Sequence, residues 1–325
     1  MIVLTHEDVA DLLPMAEAVE VIDRVMRTVS RGGAELPLRH VVPVGGGNMM
    51  GVMSGALDAP HCYGVKLVSL FPGNPEKGLS SHRGAVVLFE AETGGAVAMM
   101  DAGLLTAIRT AAASAVATRA LVREDATSLA LIGYGEQAEH HLDAMMAVRP
   151  ITRLHVVGRS ETRAEAFAKR AAEHYPQLSI VHGTDIRAAV EAADIICTVT
   201  ASPTPVLMGD WLPEGAHVNI VGASLPSKRE VDDRVVERAD IWVDYTPSTL
   251  AQAGEIVDMI KAGKFSEDKL KGEIGAVLEG TVEGRSASSQ ITAYRSLGIT
   301  AQDLAAAEHV YRQAAAAGRG QVVTL

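Results

Sequence analysis

The ten residues Leu129 to Ala138, LALIGYGEQA, constrain this chain more than any other stretch. Four apolar residues run into Gly133-Tyr134-Gly135-Glu136-Gln137-Ala138, and Glu139 to Met146 then have helical character. A strand that ends in G-x-G-x-x-A and opens a helix is the turn on which dinucleotides bind. Gly133 permits the tight turn, Gly135 lets the backbone approach a pyrophosphate, and Ala138 lets helix and strand pack closely. Backbone N–H groups at Glu136, Gln137 and Ala138, with the positive end of the helix dipole, then face the phosphates. The competing reading is a plain strand–turn–helix with no ligand.

The surrounding pattern supports the ligand. Beyond Arg123-Glu124-Asp125, strands are expected at 129–132, 154–157, 194–199, 217–221 and 240–243, with helical segments between most of them. That alternation implies a parallel sheet with right-handed crossovers, a Rossmann-type doubly wound α/β domain over 123–299. Ahead of it the rhythm differs. Met15, Val19, Ile22, Val25 and Met26 recur at helical spacing within 11–31. Short β-type runs follow at 40–44, 48–53, 63–70, 85–89 and 96–100, separated by turns such as Gly45-Gly46-Gly47, which predicts an antiparallel meander. Alanine-rich helices are expected at 104–121 and 301–317. Residues 1–122 thus read as an α+β domain.

At 325 residues the chain is long enough for two such domains. Only 4% of it is aromatic, so alanine, valine and leucine must build the cores. A net charge of −11 without any basic run argues against a nucleic-acid partner. The longest apolar region, 96–118, is broken by Asp101 and Arg109 and is not expected to span a membrane. Cys62 and Cys197 are far apart and form neither a disulfide framework nor a metal spacing, so no metal is expected. Met1-Ile2-Val3-Leu4 meets His6-Glu7-Asp8 at once, which does not read as a secretory leader. A reducing cytoplasm is the expected compartment.

The nucleotide can be narrowed. An Asp or Glu after the second strand would accept both ribose hydroxyls and favour NAD. Here Leu154-His155-Val156-Val157 ends in Gly158-Arg159-Ser160, with no acid at the tip. Arg159, Ser160 and Arg163 could hold a 2′-phosphate through charge-assisted hydrogen bonds. NADP(H) is therefore favoured, with NAD(H) kept open; the alternative leaves these arginines as solvated surface charges.

Three basic residues stand in apolar or glycine-rich settings. Arg39 precedes Val41-Val42, Lys66 interrupts 63–68, and Arg109 interrupts 104–113. A buried charge must be paired, and an anionic ligand would supply the pair. Arg109 suits a bidentate grip on a carboxylate, and a buried Lys66 could bind the same group or donate a proton. Alternatively each pairs with a chain carboxylate such as Asp101 or Glu90.

These segments resemble the ornithine cyclodeaminase/mu-crystallin family, and its mu-crystallin side more than its cyclodeaminase side. The carrying stretches are Leu70-Phe71-Pro72-Gly73-Asn74, Ser81-His82 leading into Ala85 to Glu90, Thr106-Ala107-Ile108-Arg109-Thr110-Ala111-Ala112, and Gly133 to Ala138. Val221-Gly222-Ala223-Ser224-Leu225-Pro226 with Arg229-Glu230, and Ser296-Leu297-Gly298, complete them. The resemblance implies a homodimer in which 1–122, joined by 300–325, binds substrate and dimerises. It implies that Arg39, Lys66 and Arg109 bind the substrate carboxylate and imine region, and that Thr110 approaches a cofactor phosphate. It further implies that Thr198, Val199 and Thr200 line the cofactor, with Leu297 and Gly298 near the nicotinamide. One departure matters. Cyclodeaminases carry an Asp in a G-G-D-x-P-G-K segment, whereas this chain has Ser224 there, as imine-reducing members do. Ser224 is kept as a catalytic and cofactor-side residue, and His217 is the nearest histidine in sequence that could activate it.

The expected activity is an NAD(P)H-dependent imine (ketimine) reductase acting on a C=N bond next to a carboxylate, such as a cyclic imine of the pyrroline-2-carboxylate type. A dicarboxylic imine, iminosuccinate, is the rival substrate and would need a second cation, for which Arg83 is the candidate. Alanine dehydrogenase and ornithine cyclodeaminase activities remain open, as does a non-catalytic carrier of NADPH or a small ligand.

Overall fold

The computed structural model describes residues 1–324, so the last residue of the expected C-terminal segment, Leu325, lies outside the described residues. The chain divides into two compact units, Met1–Ala112 with Ile299 onward, and Ala113–Gly298. The first division falls inside the helix Ala102–Leu121 rather than in the turn after it where composition changes.

In the first unit, β1 (Ile2–Leu4) is followed by helices α1 (His6–Leu12) and α2 (Met15–Ser30). The helix expected over 11–31 is α2, which starts at Met15, and α1 is a separate helix ahead of it. Thr5 and Asp8 form a reciprocal capping box that starts α1, and Pro14 in extended geometry caps α2, so the chain breaks between them. Strands β2 (Ala34–Glu35), β3 (His40–Gly45), β4 (Asn48–Leu57), β5 (Cys62–Leu70), β6 (His82–Phe89) and β7 (Ala96–Asp101) follow. β3 to β7 pair antiparallel in succession, the expected meander. β1 adds to β7 in parallel, and a short strand at Gln321–Val322 adds to β1. The alanine-rich α3 (Ala102–Leu121) leads out of the sheet. The C-terminal helix, Thr300–Ala317, packs on β4, β5, β6 and α2. Cys62, Gly64 and Lys66, at alternate positions of β5, are buried, so one sheet face is covered and Lys66 lies on it.

The second unit is built on an eight-stranded, wholly parallel sheet. In chain order its strands are β8 (Ser128–Ile132), β9 (Arg153–Val157), β10 (Ser179–Gly183), β11 (Ile195–Thr198), β12 (His217–Ile220), β13 (Asp240–Val243), β14 (Gly272–Glu273) and β15 (Thr292–Arg295). Their spatial order is β10-β9-β8-β11-β12-β15-β13-β14. Helices α4 (Glu136–Val148), α5 (Glu161–His174) and α6 (Ile186–Glu191) follow β8, β9 and β10. Strand order reverses between β8 and β11, the switch point at which doubly wound sheets bind ligands beyond their strand ends. The core of this unit is aliphatic, with Ala130, Ile132, Ile196, Val218, Ile220, Ile241 and Val243 among its fully buried members. No helix among the described residues is long and apolar enough to cross a membrane.

Candidate active site

In the first unit the sheet register gathers the basic residues. Met53 of β4 lies opposite Lys66, and Lys66 opposite Val86. Arg39, just ahead of β3, is close enough for its charge to act on Lys66. Arg109 enters from α3. Lys66 and Arg109 are only 2% and 4% exposed, so each charge needs an internal partner.

That partner is Asp303, on the first turn of the C-terminal helix and fully buried. Its Oδ2 lies 2.8 Å from Lys66 Nζ, and its Oδ1 accepts a 2.8 Å hydrogen bond from Arg109 Nε. Neighbouring Gln302 accepts a second 2.8 Å bond from Arg109 Nη1, and Thr106 Oγ1 lies 3.4 Å from Lys66 Nζ. Neither carboxylate suggested by the sequence plays this part. Asp101 accepts from the Leu104 N–H at the start of α3, and Glu90 is folded onto the turn at Glu92–Gly95. The grip expected of Arg109 changes accordingly: its Nε is taken by Asp303 and its Nη1 by Gln302, and Nη2 is what remains for a ligand. Burial pushes the Lys66 ammonium down to about 7; Arg109 and Arg39 add to the push and Asp303 opposes it. Burial alone would raise the Asp303 carboxyl, but Arg109 and Lys66 outweigh it and hold Asp303 below its ordinary value.

His82 joins this group without having been singled out as a site residue. It shares a face of β6 with Val86, the cross-strand partner of Lys66. His82 is itself exposed at the surface; chain packed around the ring, then the charges of Lys66 and Arg109, push its imidazolium below its ordinary value. Its Nδ1 lies 3.0 Å from Ser81 Oγ. Arg83 is the next residue and therefore turns to the opposite face of β6; it is exposed and does not join the Lys66 row. Thr110 follows Arg109 on α3 and is buried.

In the second unit, Gly133 adopts φ +118°, and a Cβ there would lie 2.7 Å from the Val199 carbonyl, so only glycine lets the β8–α4 turn approach the end of β11. Gly135 is the N-cap of α4, with no side chain capping the turn, and a Cβ on it would meet nothing within 4 Å. The Gln137 side-chain oxygen is buried there without a partner, and Ala138 is fully buried against the strand. An open, uncapped helix start at the switch point fits a dinucleotide pyrophosphate.

At the tip of β9 the Ser160 N–H donates to the Tyr134 hydroxyl at 3.0 Å, and Ser160 Oγ accepts from the Arg163 N–H at 3.4 Å, capping α5. The Arg163 guanidinium lies 4.9 Å from the centre of the Tyr134 ring. Arg159 is exposed. The nearest acid, Glu161, is bound to His182 at 3.0 Å.

Three buried acids hold the strand-end loops. Glu230 accepts from Thr198 Oγ1 at 3.0 Å, from the Thr200 N–H at 2.7 Å and hydroxyl at 2.6 Å, and from the Gly222 N–H at 2.5 Å. Burial raises its carboxyl, while these donors oppose the rise. A Cβ at Gly222 would collide with the Thr200 backbone, so glycine is required for the closeness of these two strand ends. Asp244 accepts from the N–H groups of Leu297 and Gly298 at 2.8 and 2.7 Å. Arg295 pairs with Glu255 at 2.5 Å and donates to the Ala223 carbonyl at 2.6 Å, next to Ser224. Thr198, Val199, Thr200, Ser224, Leu297 and Gly298 are thereby gathered at the strand ends. His217 does not reach Ser224: it sits buried at the start of β12, its Nδ1 2.9 Å from Thr292 Oγ1, and Ser224 follows the other end of that strand. The acids escaped sequence reading because an acid in a loop or a helix's first turn looks like solvated surface; only Glu230 lay in a stretch noted for the family resemblance.

A curated Δ1-pyrroline-2-carboxylate reductase of Bacillus cereus is 31% identical over 325 residues, covering 99% of both chains. The solved structure of Thermococcus litoralis Δ1-pyrroline-2-carboxylate reductase, in complex with NADH and L-proline, matches with a TM-score of 0.96 and 32% identity, covering 99% of this chain and 100% of that one. An archaeal alanine dehydrogenase dimer with bound NAD matches at a TM-score of 0.93 and 30% identity, covering 100% of this chain and 99% of that one. The model of the ornithine cyclodeaminase/mu-crystallin family matches residues 1–318, and with relatives of this identity spanning the whole chain, the protein belongs to that family.

Proposed function

We propose that this chain is an NAD(P)H-dependent imine reductase that reduces a C=N bond next to a carboxylate, with a cyclic ketimine of the pyrroline-2-carboxylate type as substrate. The observation that carries this reading is the buried Lys66–Asp303–Arg109 cluster. Two cations share one carboxylate, leaving a positive charge that a substrate carboxylate would balance. Arg109 Nη2 and Lys66 bind that carboxylate, with Arg39 adding charge beside it. The carboxylate in turn raises the proton affinity of Lys66, so its ammonium form persists in the complex and can protonate the imine nitrogen. His82 offers a hydrogen-bonding ring on the same face. In the second unit the Gly133–Ala138 turn, Thr198 to Thr200, Ser224, Leu297 and Gly298 hold the nucleotide. When bound, the dihydronicotinamide supplies the hydride. The products are a cyclic imino acid and the oxidised nucleotide.

Arg159 and Arg163, with Glu161 engaged elsewhere, support a preference for NADP(H). Arg83 on the opposite face of β6 supports a monocarboxylic imine over iminosuccinate, which needs a second cation near the first. Ser224 without an activating base supports reduction over ornithine cyclisation. Leu38, Val42 and Val44 expose 50%, 38% and 48% of their surface around β3, which supports a homodimer formed through the first unit. Cys62 and Cys197 are both free, in keeping with a reducing cytoplasm.

The test is nucleotide oxidation with pyrroline-2-carboxylate, iminosuccinate, and pyruvate plus ammonia, each with NADPH and NADH. Fastest turnover with the cyclic imine and NADPH is expected. Tight NADPH binding without turnover of any imine would make the protein a carrier and overturn this reading.

A further inference from the structure

We propose that Asp303 is a positioning residue that keeps Lys66 in its ammonium form and turns the Arg109 guanidinium so that its Nη2 faces the substrate carboxylate. This rests on the imine-reductase reading for its catalytic consequence, but not for its electrostatic one. Asp303 is fully buried and touches both cations through different oxygens, Oδ2 to Lys66 and Oδ1 to Arg109 Nε, each at 2.8 Å. Gln302 fixes the Nη1 side of the same guanidinium at 2.8 Å. Adjacent residues on one helical turn thus hold a planar group by two edges, which leaves it one orientation.

The charged and titratable groups facing Lys66 are few and of known sign. Arg39 ahead of β3, His82 of β6 and Arg109 of α3 are cationic or neutral, and Asp303 of the C-terminal helix is the one anion among those acting on it. Met53 and Val86, on either side of Lys66 in the sheet, contribute only burial. Without Asp303, burial and two guanidiniums would drive Lys66 to its neutral amine near pH 7, and an amine cannot protonate an imine. The C-terminal helix therefore does more than cover the sheet: its first turn sets the proton inventory of the site.

The experiment follows Lys66 directly. Protein carrying ¹³C at the lysine ε-carbon is titrated by NMR, with Lys66→Ala identifying the resonance, in the parent, Asp303→Asn and Asp303→Glu. Asp303→Asn should lower the Lys66 midpoint by about one pH unit or more, and Asp303→Glu should restore most of it. The alkaline limb of kcat/KM for pyrroline-2-carboxylate should move in the same direction. An unmoved Lys66 midpoint in folded Asp303→Asn overturns the proposal. If Asp303→Asn does not fold, Asp303→Glu decides: its longer arm should keep the Lys66 midpoint but displace Arg109 and raise KM, and a parent-like KM overturns the proposal. A shifted Lys66 midpoint in a protein that reduces no imine would leave the role of Asp303 standing and remove the function.

Discussion

Glu230 accepts a 2.5 Å hydrogen bond from the backbone N–H of Gly222, and the same carboxylate holds Thr198 and Thr200 at the end of the neighbouring strand. One buried acid therefore ties the ends of β11 and β12, where the residues proposed to line the nucleotide lie. Glu230→Gln replaces an acceptor by a donor that would face other donors. The expected cost is about 1–3 kcal/mol of stability, together with clearly weaker nucleotide binding. Thermal unfolding and nicotinamide fluorescence titration measure the two effects, and a parent-like result in both would show that Glu230 does not organise the loops.

The arginines at the tip of β9 predict how the two nucleotides are told apart. Arg159→Ala should weaken NADPH binding by roughly 1–3 kcal/mol and leave NADH nearly unchanged. Equal losses for the two nucleotides would remove the 2′-phosphate from this position.

Arg109→Lys keeps the charge but cannot satisfy Asp303 and Gln302 while presenting two further N–H groups to a carboxylate. Imine reduction should fall on the order of a hundredfold, while circular dichroism shows a folded protein. Parent-like kinetics in this variant would mean that the guanidinium has only a structural role.

Serine at the position where cyclodeaminases have aspartate, with His217 held at the other end of β12, predicts low or absent ornithine cyclisation. Proline and ammonia formed from L-ornithine at rates rivalling imine reduction would contradict it.

Two histidines make stability depend on pH. Desolvation pushes buried His141 to about 4 and His217 to about 3, whereas an unfolded histidine titrates near 6.5. Below about pH 6.5 the unfolded chain takes up protons that the folded one refuses. Stability is therefore full above that pH and falls as pH drops toward the folded values, by about 1.4 kcal/mol per pH unit for each histidine. Denaturant unfolding between about pH 6.5 and 5 should show a smaller slope in His217→Gln than in the parent. An unchanged slope would mean that His217 is charged in the fold.

Local signals were legible in the amino-acid sequence. The β8–α4 turn, the meander and the alanine-rich helices announce themselves within a dozen residues, because glycine freedom, side-chain alternation and helical spacing are properties of neighbours along the chain. Lys66 and Arg109 were legible as charges in apolar surroundings, since burial makes a lone charge costly wherever it sits. β15 was missed because Thr292-Ala293-Tyr294-Arg295 has no apolar run; it lies fully buried in the sheet because Glu255 supplies the charge that Arg295 needs.

Partners were not legible, because they come from distant segments. Nothing near Lys66 in sequence points to Asp303, and Asp101 and Glu90, which looked available, spend their oxygens on helix and turn N–H groups. The choice between His82 and Arg83 is of the same kind. Alternation says that adjacent residues of a strand face opposite ways, but only the pairing of Lys66 with Val86 decides which of them joins the site. Sequence alone determined the nucleotide turn and which residues carry charge into the interior. Tertiary structure decided what each charge is paired with, and hence which protons and which guanidinium edge remain for a substrate, because pairing depends on distances that close only when the sheet and the C-terminal helix pack.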